Sequence, residues 1–147
     1  MSDVVESSAQ EGWTQHSVDG APDTYDVDAF LKSQMDFGTR TFDVVLLWDT
    51  LDHVPTPLVP GILGHLHASM VEGGEILAMF HTQQAKQRPA RFRYHVTDGD
   101  SLEAQELAPV PMTQIYSNRA IEKLFSSYRT CRSFLAKDNI YEVIVTR

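Results

Sequence analysis

The fold is decided by residues 42–55, whose sequence is FDVVLLWDTLDHVP. The first seven residues form a nearly continuous β-branched and aliphatic run, which is typical of a strand buried on both faces of a parallel sheet. Apolar residues then recur at every fourth position over 58–71 and predict an amphipathic helix. Gly73 and Gly74 are predicted to end that helix, and residues 75–81 form a second predicted strand. Together these segments predict a βαβ unit with a right-handed crossover.

The rest of the chain predicts shorter elements around this unit. A helical period begins at Val27, and a hairpin over 129–146 with a turn at 137–139 closes the sequence. Residues 82–117 show no single period and contain three prolines, so we interpret them as an insertion made mainly of loops. The remaining predicted elements are a short strand over 13–19, a half-exposed strand over 91–96 and a short helix capped by Ser117 or Asn118.

These elements predict an α/β fold whose sheet is mainly parallel and ends in an antiparallel hairpin. A length of 147 residues suits one domain, and a hydrophobic content of 42% is enough for a core. Residues 1–12 are polar, so we expect a disordered, solvated arm there. The single domain is then expected over 13–147, with the insertion at 82–117.

Composition and charge exclude several classes of function. The chain has 20 acidic and 12 basic residues, and its net charge of −8 argues against binding to a nucleic-acid backbone. No apolar run approaches the roughly 20 residues of a membrane helix, and the first residues lack a secretory signal, so we expect a cytoplasmic protein. Cys131 has no second cysteine to pair with. His65 and His67 do not share a helix face, and no metal site is predicted.

Residues 42–147 resemble the second half of a class I S-adenosylmethionine-dependent methyltransferase. In that family the fourth strand begins with Phe-Asp, a loop of the Leu-Glu-His type follows it, and a helix leads through a Pro-Gly-Gly turn into the fifth strand. Here FDVVLLWDTLDHVP and MVEGGEILAMFHT carry these features, with Glu72 in place of the proline. The closing segment, YSNRAIEKLFSSYRTCRSFLAKDNIYEVIVTR, resembles the family's last helix and reversed final hairpin. The resemblance implies a truncated Rossmann-like sheet and S-adenosylmethionine as the cofactor.

The sequence departs from the family before Phe42. Family members bind the cofactor through a glycine-rich turn after their first strand, where glycine lets the backbone approach the ligand closely. This chain has only Gly12, Gly20 and Gly38 in that region, and no Gly-x-Gly. Three βα units would need roughly 60–75 residues, whereas 41 precede Phe42. We therefore expect the front of the family's fold to be missing.

The resemblance implies a site at the carboxyl ends of the strands, where open sheets of this type bind ligands. Trp48 and Asp49 would line the cofactor and acceptor cleft, and His53 or Asp52 is the candidate base that takes a proton from the acceptor. Asp19 is the candidate acid for the ribose hydroxyls, because a carboxylate accepts two hydrogen bonds. The structural alternatives are a core aromatic at Trp48, a loop cap at Asp49, a partner for backbone amides at His53 and a solvated acid at Asp19.

Two further features follow the second predicted strand. His81 lies at the same edge of the sheet, and we interpret it as structural rather than catalytic. A basic cluster comes next and suits either an anionic acceptor or a solvated loop that offsets the acidic front; its members are Lys86, Arg88, Arg91 and Arg93.

The leading functional hypothesis is a methyltransferase-like protein that transfers a methyl group from S-adenosylmethionine to an unidentified O, N or C nucleophile. Such a transfer depends mostly on alignment and water exclusion, so little acid–base chemistry is needed. The alternative is a non-catalytic remnant that acts as an interaction or oligomeric subunit. A sheet without its first strands exposes an edge and apolar faces. We expect a homodimer, a complementary chain or an upstream segment to cover them.

Overall fold

Eight strands and five α-helices are found in residues 4–16, 24–82, 91–136 and 139–147, which the computed structural model describes. The strands are β1 (Thr14–Gln15), β2 (Thr24–Tyr25), β3 (Phe42–Trp48), β4 (Met70–His81), β5 (Arg91–Val96), β6 (Leu102–Leu107), β7 (Thr130–Leu135) and β8 (Ile140–Thr146). The α-helices are α1 (Val4–Ser8), α2 (Val27–Gln34), α3 (Thr50–His53), α4 (Val59–Ser69) and α5 (Asn118–Leu124). None of the described helices is long and apolar enough to cross a membrane.

The central sheet has four strands in the order β3-β4-β8-β7. Strands β3 and β4 are parallel, with Val45 opposite Ile76 and Leu46 opposite Leu77, and α4 connects them. The predicted βαβ unit is therefore confirmed. The closing hairpin is also confirmed, since β7 pairs antiparallel with β8. The structure is thus a mixed α/β fold around one four-stranded sheet.

The prediction of a mainly parallel sheet is wrong for the described residues. Only β3 and β4 run parallel, whereas β8 pairs antiparallel with both β4 and β7. A short connection joins β7 to β8, which forces these two strands to be antiparallel. The hairpin then inserts β8 beside β4, so the reversed strands account for two of the three pairings.

The strand β3 is one of the two edge strands of the sheet, and its exposure corrects the expectation of burial on both faces. Val44 is 59% exposed and Leu46 is 42% exposed, whereas Leu47 is buried. A run of apolar residues predicts a strand with at least one buried face. It does not show whether the other face is covered. In this chain the described residues leave alternate apolar side chains of β3 in solvent.

Gly73 and Gly74 lie within β4 instead of forming the predicted turn. The helix α4 ends at Ser69, and β4 begins at Met70 opposite Phe42. The next pair along the ladder joins Val44 to Glu75, so β4 carries extra residues that bulge out there. Gly73 has a φ of 79°, a backbone conformation that favours glycine. A Cβ on Gly74 would lie 3.1 Å from the carbonyl oxygens of Phe42 and Asp43.

Part of the predicted disordered arm over 1–12 is folded. Residues 4–8 form α1, and Val5 is only 3% exposed within the core. The indole Nε1 of Trp13 donates a hydrogen bond of 2.8 Å to the carbonyl oxygen of Ser7. The polar composition of this segment concealed a pair of valines whose burial is enough to hold one helical turn in place.

The segment 82–117 contains a hairpin that the sequence did not predict. The predicted strand over 91–96 is confirmed as β5, and it pairs antiparallel with β6 from Arg91–Leu107 to Val96–Leu102. The residues of β6 are almost all exposed. Because no face of this strand is buried, its sequence lacks the alternation of apolar and polar residues from which a strand is predicted. The hairpin places the aromatic side chains of β5 beside the carboxyl end of β3.

The core lies between the sheet and the helices α2, α3 and α4. Phe30 of α2, Leu51 of α3 and Phe80 of β4 are fully buried there. The cap predicted at Ser117 is present, because its side chain accepts a hydrogen bond from the amide of Ala120. Asp26 caps α2 in the same way by accepting from the amide of Ala29, which the sequence analysis did not predict. Within the described part of the predicted strand over 13–19, residues 14 and 15 form β1, and residues 17–19, including Asp19, lie outside the described residues.

Candidate functional site

The carboxyl ends of β3 and β4 lie at one edge of the sheet, because the two strands are parallel. The register shifts between Leu46 and Trp48, and Trp48 has a φ of 45°. A positive φ is costly for a bulky residue, and such strain is concentrated at functional positions. The backbone turns there from β3 into α3, which carries the next three candidate side chains past the edge of the sheet.

A buried carboxylate ties α3 to the end of β4. Asp52 is fully buried, and its Oδ2 atom accepts hydrogen bonds of 2.7 Å from both the backbone N–H and the Nδ1 atom of His81. An ionised carboxylate only accepts hydrogen bonds, so Nδ1 is the protonated nitrogen of this contact. Nε2 is therefore the ring nitrogen that carries a lone pair when His81 is neutral.

Burial and hydrogen bonding act against each other in this pair. Burial disfavours a charge on Asp52 and is the larger effect, so the pKa of Asp52 is raised above 3.8 although the two hydrogen bonds from His81 lower it. The hydrogen bond to the Asp52 carboxylate raises the pKa of His81 above 6.5. Burial of the imidazole opposes that increase to a lesser extent. A protonated ring compensates the charge of the buried carboxylate, so the raised pKa of His81 is the shift that we expect to dominate in this pair.

The last residues of the segment 82–117 cover α3 and hold the buried pair in place. The amide of Thr113 donates a hydrogen bond of 2.7 Å to the carbonyl oxygen of Asp52, and its hydroxyl donates one of 2.6 Å to that of Val54. His53 is 3% exposed, and its Nδ1 lies 3.4 Å from the carbonyl oxygen of Pro111. These contacts account for the burial of both Asp52 and His53.

A cleft of about 230 Å³ opens beside this edge. The rings of Trp48 and Tyr94 pack against each other with centroids 4.6 Å apart and planes tilted by 32°. Asp49 begins α3 without making a side-chain capping hydrogen bond, and it is one of the residues around the cleft. The full lining consists of Trp48, Asp49, Met79, His81, Phe92, Tyr94 and Ile140.

A second cleft of about 430 Å³ adjoins the first, and Trp48, Phe92 and Tyr94 line both of them. Its walls are mainly apolar and include Met35 and Leu46, and Asp49 is the acidic residue common to both clefts. Ligand sites are typically concave, mostly apolar and furnished with a few polar groups. Both clefts have this character, and together they surround the carboxyl end of β3.

The structure brings some of the predicted site residues together and separates others. Trp48 and Asp49 line the smaller cleft together with His81. From the sequence, His81 was predicted to be structural. Asp52 reaches this cleft only through His81, and His53 does not line it. Direct proton transfer by either residue stays a prediction, and the burial of both side chains favours a supporting role.

Other predicted site residues lie elsewhere. Asp19 and two members of the basic cluster, Lys86 and Arg88, lie outside the described residues. Arg91 is 5% exposed, and its guanidinium lies 3.6 Å from the carboxylate of Glu6. In the part of the chain that the structure describes, no group of three or more His, Cys, Asp or Glu side chains could hold a metal ion.

No protein-family model matches this chain, and no curated protein matches it at a significant level. Similar solved structures include the glycopeptide N-methyltransferase MtfA complexed with (S)-adenosyl-L-homocysteine, at a TM-score of 0.47 and 11% sequence identity. MtfA complexed with (S)-adenosyl-L-methionine has a TM-score of 0.44 at 11% identity. The first match covers 73% of this chain but 55% of MtfA, so the chain spans about half the length of that enzyme. Scores this low do not establish a shared fold by themselves.

We predict that Asp52→Asn lowers the free energy of unfolding near pH 6 by about 1.5–3 kcal/mol, because two hydrogen bonds to a charged acceptor are weakened. The matched variant Asp49→Asn is expected to change it by less than about 0.5 kcal/mol. Because folding raises the pKa of His81, the stabilisation by the pair is complete below pH 6.5 and is lost as the pH rises through the higher folded value.

Urea denaturation of the three proteins at several pH values measures these differences. The gap between the wild-type chain and Asp52→Asn should narrow as the pH increases above 6.5. A gap that widens with pH, or an equal loss of stability in Asp49→Asn, would contradict the assignment of Asp52 as the partner of a protonated His81.

Proposed function

We propose that this chain forms part of a Rossmann-like methyltransferase and takes part in the transfer of a methyl group from S-adenosylmethionine to an acceptor. The observation that carries the proposal is the cleft at the carboxyl ends of the parallel strands β3 and β4, where Trp48, Asp49 and His81 meet. Doubly wound sheets bind their ligands at that edge. The resemblance of residues 42–147 to the second half of class I methyltransferases supports the same position.

The residues around the two clefts fit parts of S-adenosylmethionine. The faces of Trp48 and Tyr94 suit an adenine ring or a sulfonium cation, since aromatic faces attract both. The carboxylate of Asp49 suits hydroxyl or ammonium groups. The cleft of about 430 Å³ has the size of a site for a small ligand. When bound, the cofactor supplies an electrophilic methyl group.

The residues of this chain would contribute orientation and a proton acceptor. Asp52 holds the ring of His81 through Nδ1, so that Nε2 is the atom that receives a proton from an acceptor group. A carboxylate behind an imidazole fixes the tautomer and stabilises the protonated ring, as the raised pKa of His81 indicates. In this proposal His81 replaces His53 as the base, and Asp52 is a positioning residue.

One component of the family's cofactor site is absent from the sequence before Phe42, which contains no Gly-x-Gly. A turn of that kind would supply backbone N–H groups to the ligand. Without it, the affinity for the cofactor depends on the aromatic and carboxylate contacts around Trp48, so we propose that this chain binds it weakly.

We predict that the purified chain binds S-adenosylhomocysteine with a dissociation constant between about 10 μM and 1 mM in isothermal titration calorimetry. Asp49→Asn should weaken binding roughly three- to tenfold through loss of a charge-assisted hydrogen bond. The matched control is Asp43→Asn, because Asp43 is exposed near the opposite end of β3. It should bind as the wild-type chain does. A chain with native circular dichroism that binds no ligand up to millimolar concentration would contradict the proposal.

A second function, as an oligomeric subunit, is favoured by the exposure of Val44 and Leu46 on the edge strand β3. We propose that a second copy pairs with β3 in an antiparallel register centred on Val45. Val44 of each copy then lies opposite Leu46 of the other, and Asp43 lies opposite Leu47, so like charges do not face each other. Such pairing covers an edge that is otherwise open to aggregation.

We predict that light scattering coupled to size-exclusion chromatography gives the mass of a dimer for the wild-type chain. Val44→Lys should give a monomer, because a charge on an edge strand opposes pairing. Val96→Lys is the control, since Val96 is 70% exposed on β5 and outside the central sheet, and it should remain dimeric. A monomeric wild-type chain, or a dimer that survives Val44→Lys, would overturn this interface.

A further inference from the structure

The smaller cleft has the composition of a site for an organic cation. Three aromatic residues, Trp48, Phe92 and Tyr94, contribute to its wall of about 230 Å³. The centroids of Trp48 and Tyr94 are 4.6 Å apart, and those of Phe92 and Tyr94 are 6.1 Å apart with planes tilted by 44°. Aromatic faces attract a cation that lies within about 6 Å of the ring centroid, and tryptophan does so most strongly.

The charges around this cleft are also those that a cation needs. Asp49 lies in the wall, and its electrostatic influence reaches both His81 and Tyr94. The Asp52–His81 pair has no net charge when its ring is protonated. The carboxylate of Asp49 then remains as the net charge among the described residues that line the cleft. When His81 is neutral and able to take up a proton, the ionised Asp52 behind its ring adds a second negative charge.

The basic residues of β5 belong to the other cleft. Arg91 and Arg93 line the larger cleft with Val4 and Met35, and neither lines the smaller one. Phe92 and Tyr94 border both clefts, whereas their basic neighbours Arg91 and Arg93 line the larger one alone. Among the described residues, that cleft has no lysine or arginine in its wall.

We propose that the cleft formed by Trp48, Phe92, Tyr94 and Asp49 binds the cationic head group of an organic amine. On the methyltransferase function proposed above, on which this second step depends, the methyl acceptor is then an amine. A primary or secondary ammonium group must lose a proton before its nitrogen can act as a nucleophile. Nε2 of His81 is the atom of this chain that would receive that proton.

The probe for this site is tetramethylammonium chloride, titrated into the ¹⁵N-labelled full chain. The indole N–H signal of Trp48 should shift saturably, with a dissociation constant in the millimolar range. Trp13 provides an internal reference, because its indole N–H is engaged by the carbonyl oxygen of Ser7. Sodium chloride controls for ionic strength, and tert-butanol controls for a neutral group of similar shape.

Asp49→Asn should weaken the binding of tetramethylammonium roughly fivefold, as expected when a nearby countercharge is removed, whereas Asp43→Asn should leave it unchanged. Trp48→Leu should abolish it, with the Tyr94 ring signals as the readout.

The inference is overturned if the Trp48 signal shifts equally with tert-butanol or does not shift saturably. If S-adenosylhomocysteine binds and tetramethylammonium does not, only this inference fails. If only tetramethylammonium binds, the cation site stands and the methyltransferase function fails.

Discussion

The buried carboxylate of Asp52 is the constraint on which the candidate site depends. It is fully buried, and it accepts two hydrogen bonds of 2.7 Å from the backbone and ring of His81. An ionised group in such a place is costly unless it is paired. The pair therefore fixes the position of α3 relative to the end of β4, and it fixes the imidazole ring that borders the cleft. Thr113 closes the arrangement by donating hydrogen bonds to the backbone of α3.

The position of the cleft follows from the same edge of the sheet. The two parallel strands end together, and the positive φ of Trp48 turns the chain so that its indole reaches the hairpin formed by β5 and β6. Asp49 follows directly and brings a carboxylate to the aromatic wall. Consecutive residues at the end of β3 and the start of α3 thus meet two distant segments, β4 and β5. Together they form an aromatic surface, a carboxylate and an imidazole held by a hydrogen bond. This combination suits a cationic ligand and a proton acceptor.

The sequence predicted the parts of this structure that depend on local patterns. The strand over 42–48, the helix that begins at Val27, the closing hairpin and the cap at Ser117 are all present. The contact between Asp52 and His81 could not be predicted, since it joins residues 29 positions apart and depends on the register of β3 against β4. The exposed strand β6 has no apolar alternation, and the bulge at Gly73 resembles a turn in sequence. A polar composition likewise concealed the burial of Val5.

The most direct test of this account is the ¹⁵N and ¹H NMR titration of the ring nitrogens of His81, assigned among the six histidines with His81→Asn. We expect Nδ1 to keep its proton between about pH 6 and 8. Nε2 should titrate with a midpoint above 6.5. A neutral ring that carries its proton on Nε2, or a midpoint at or below 6.5, would contradict the contact with Asp52 and with it the proposed orientation of the site.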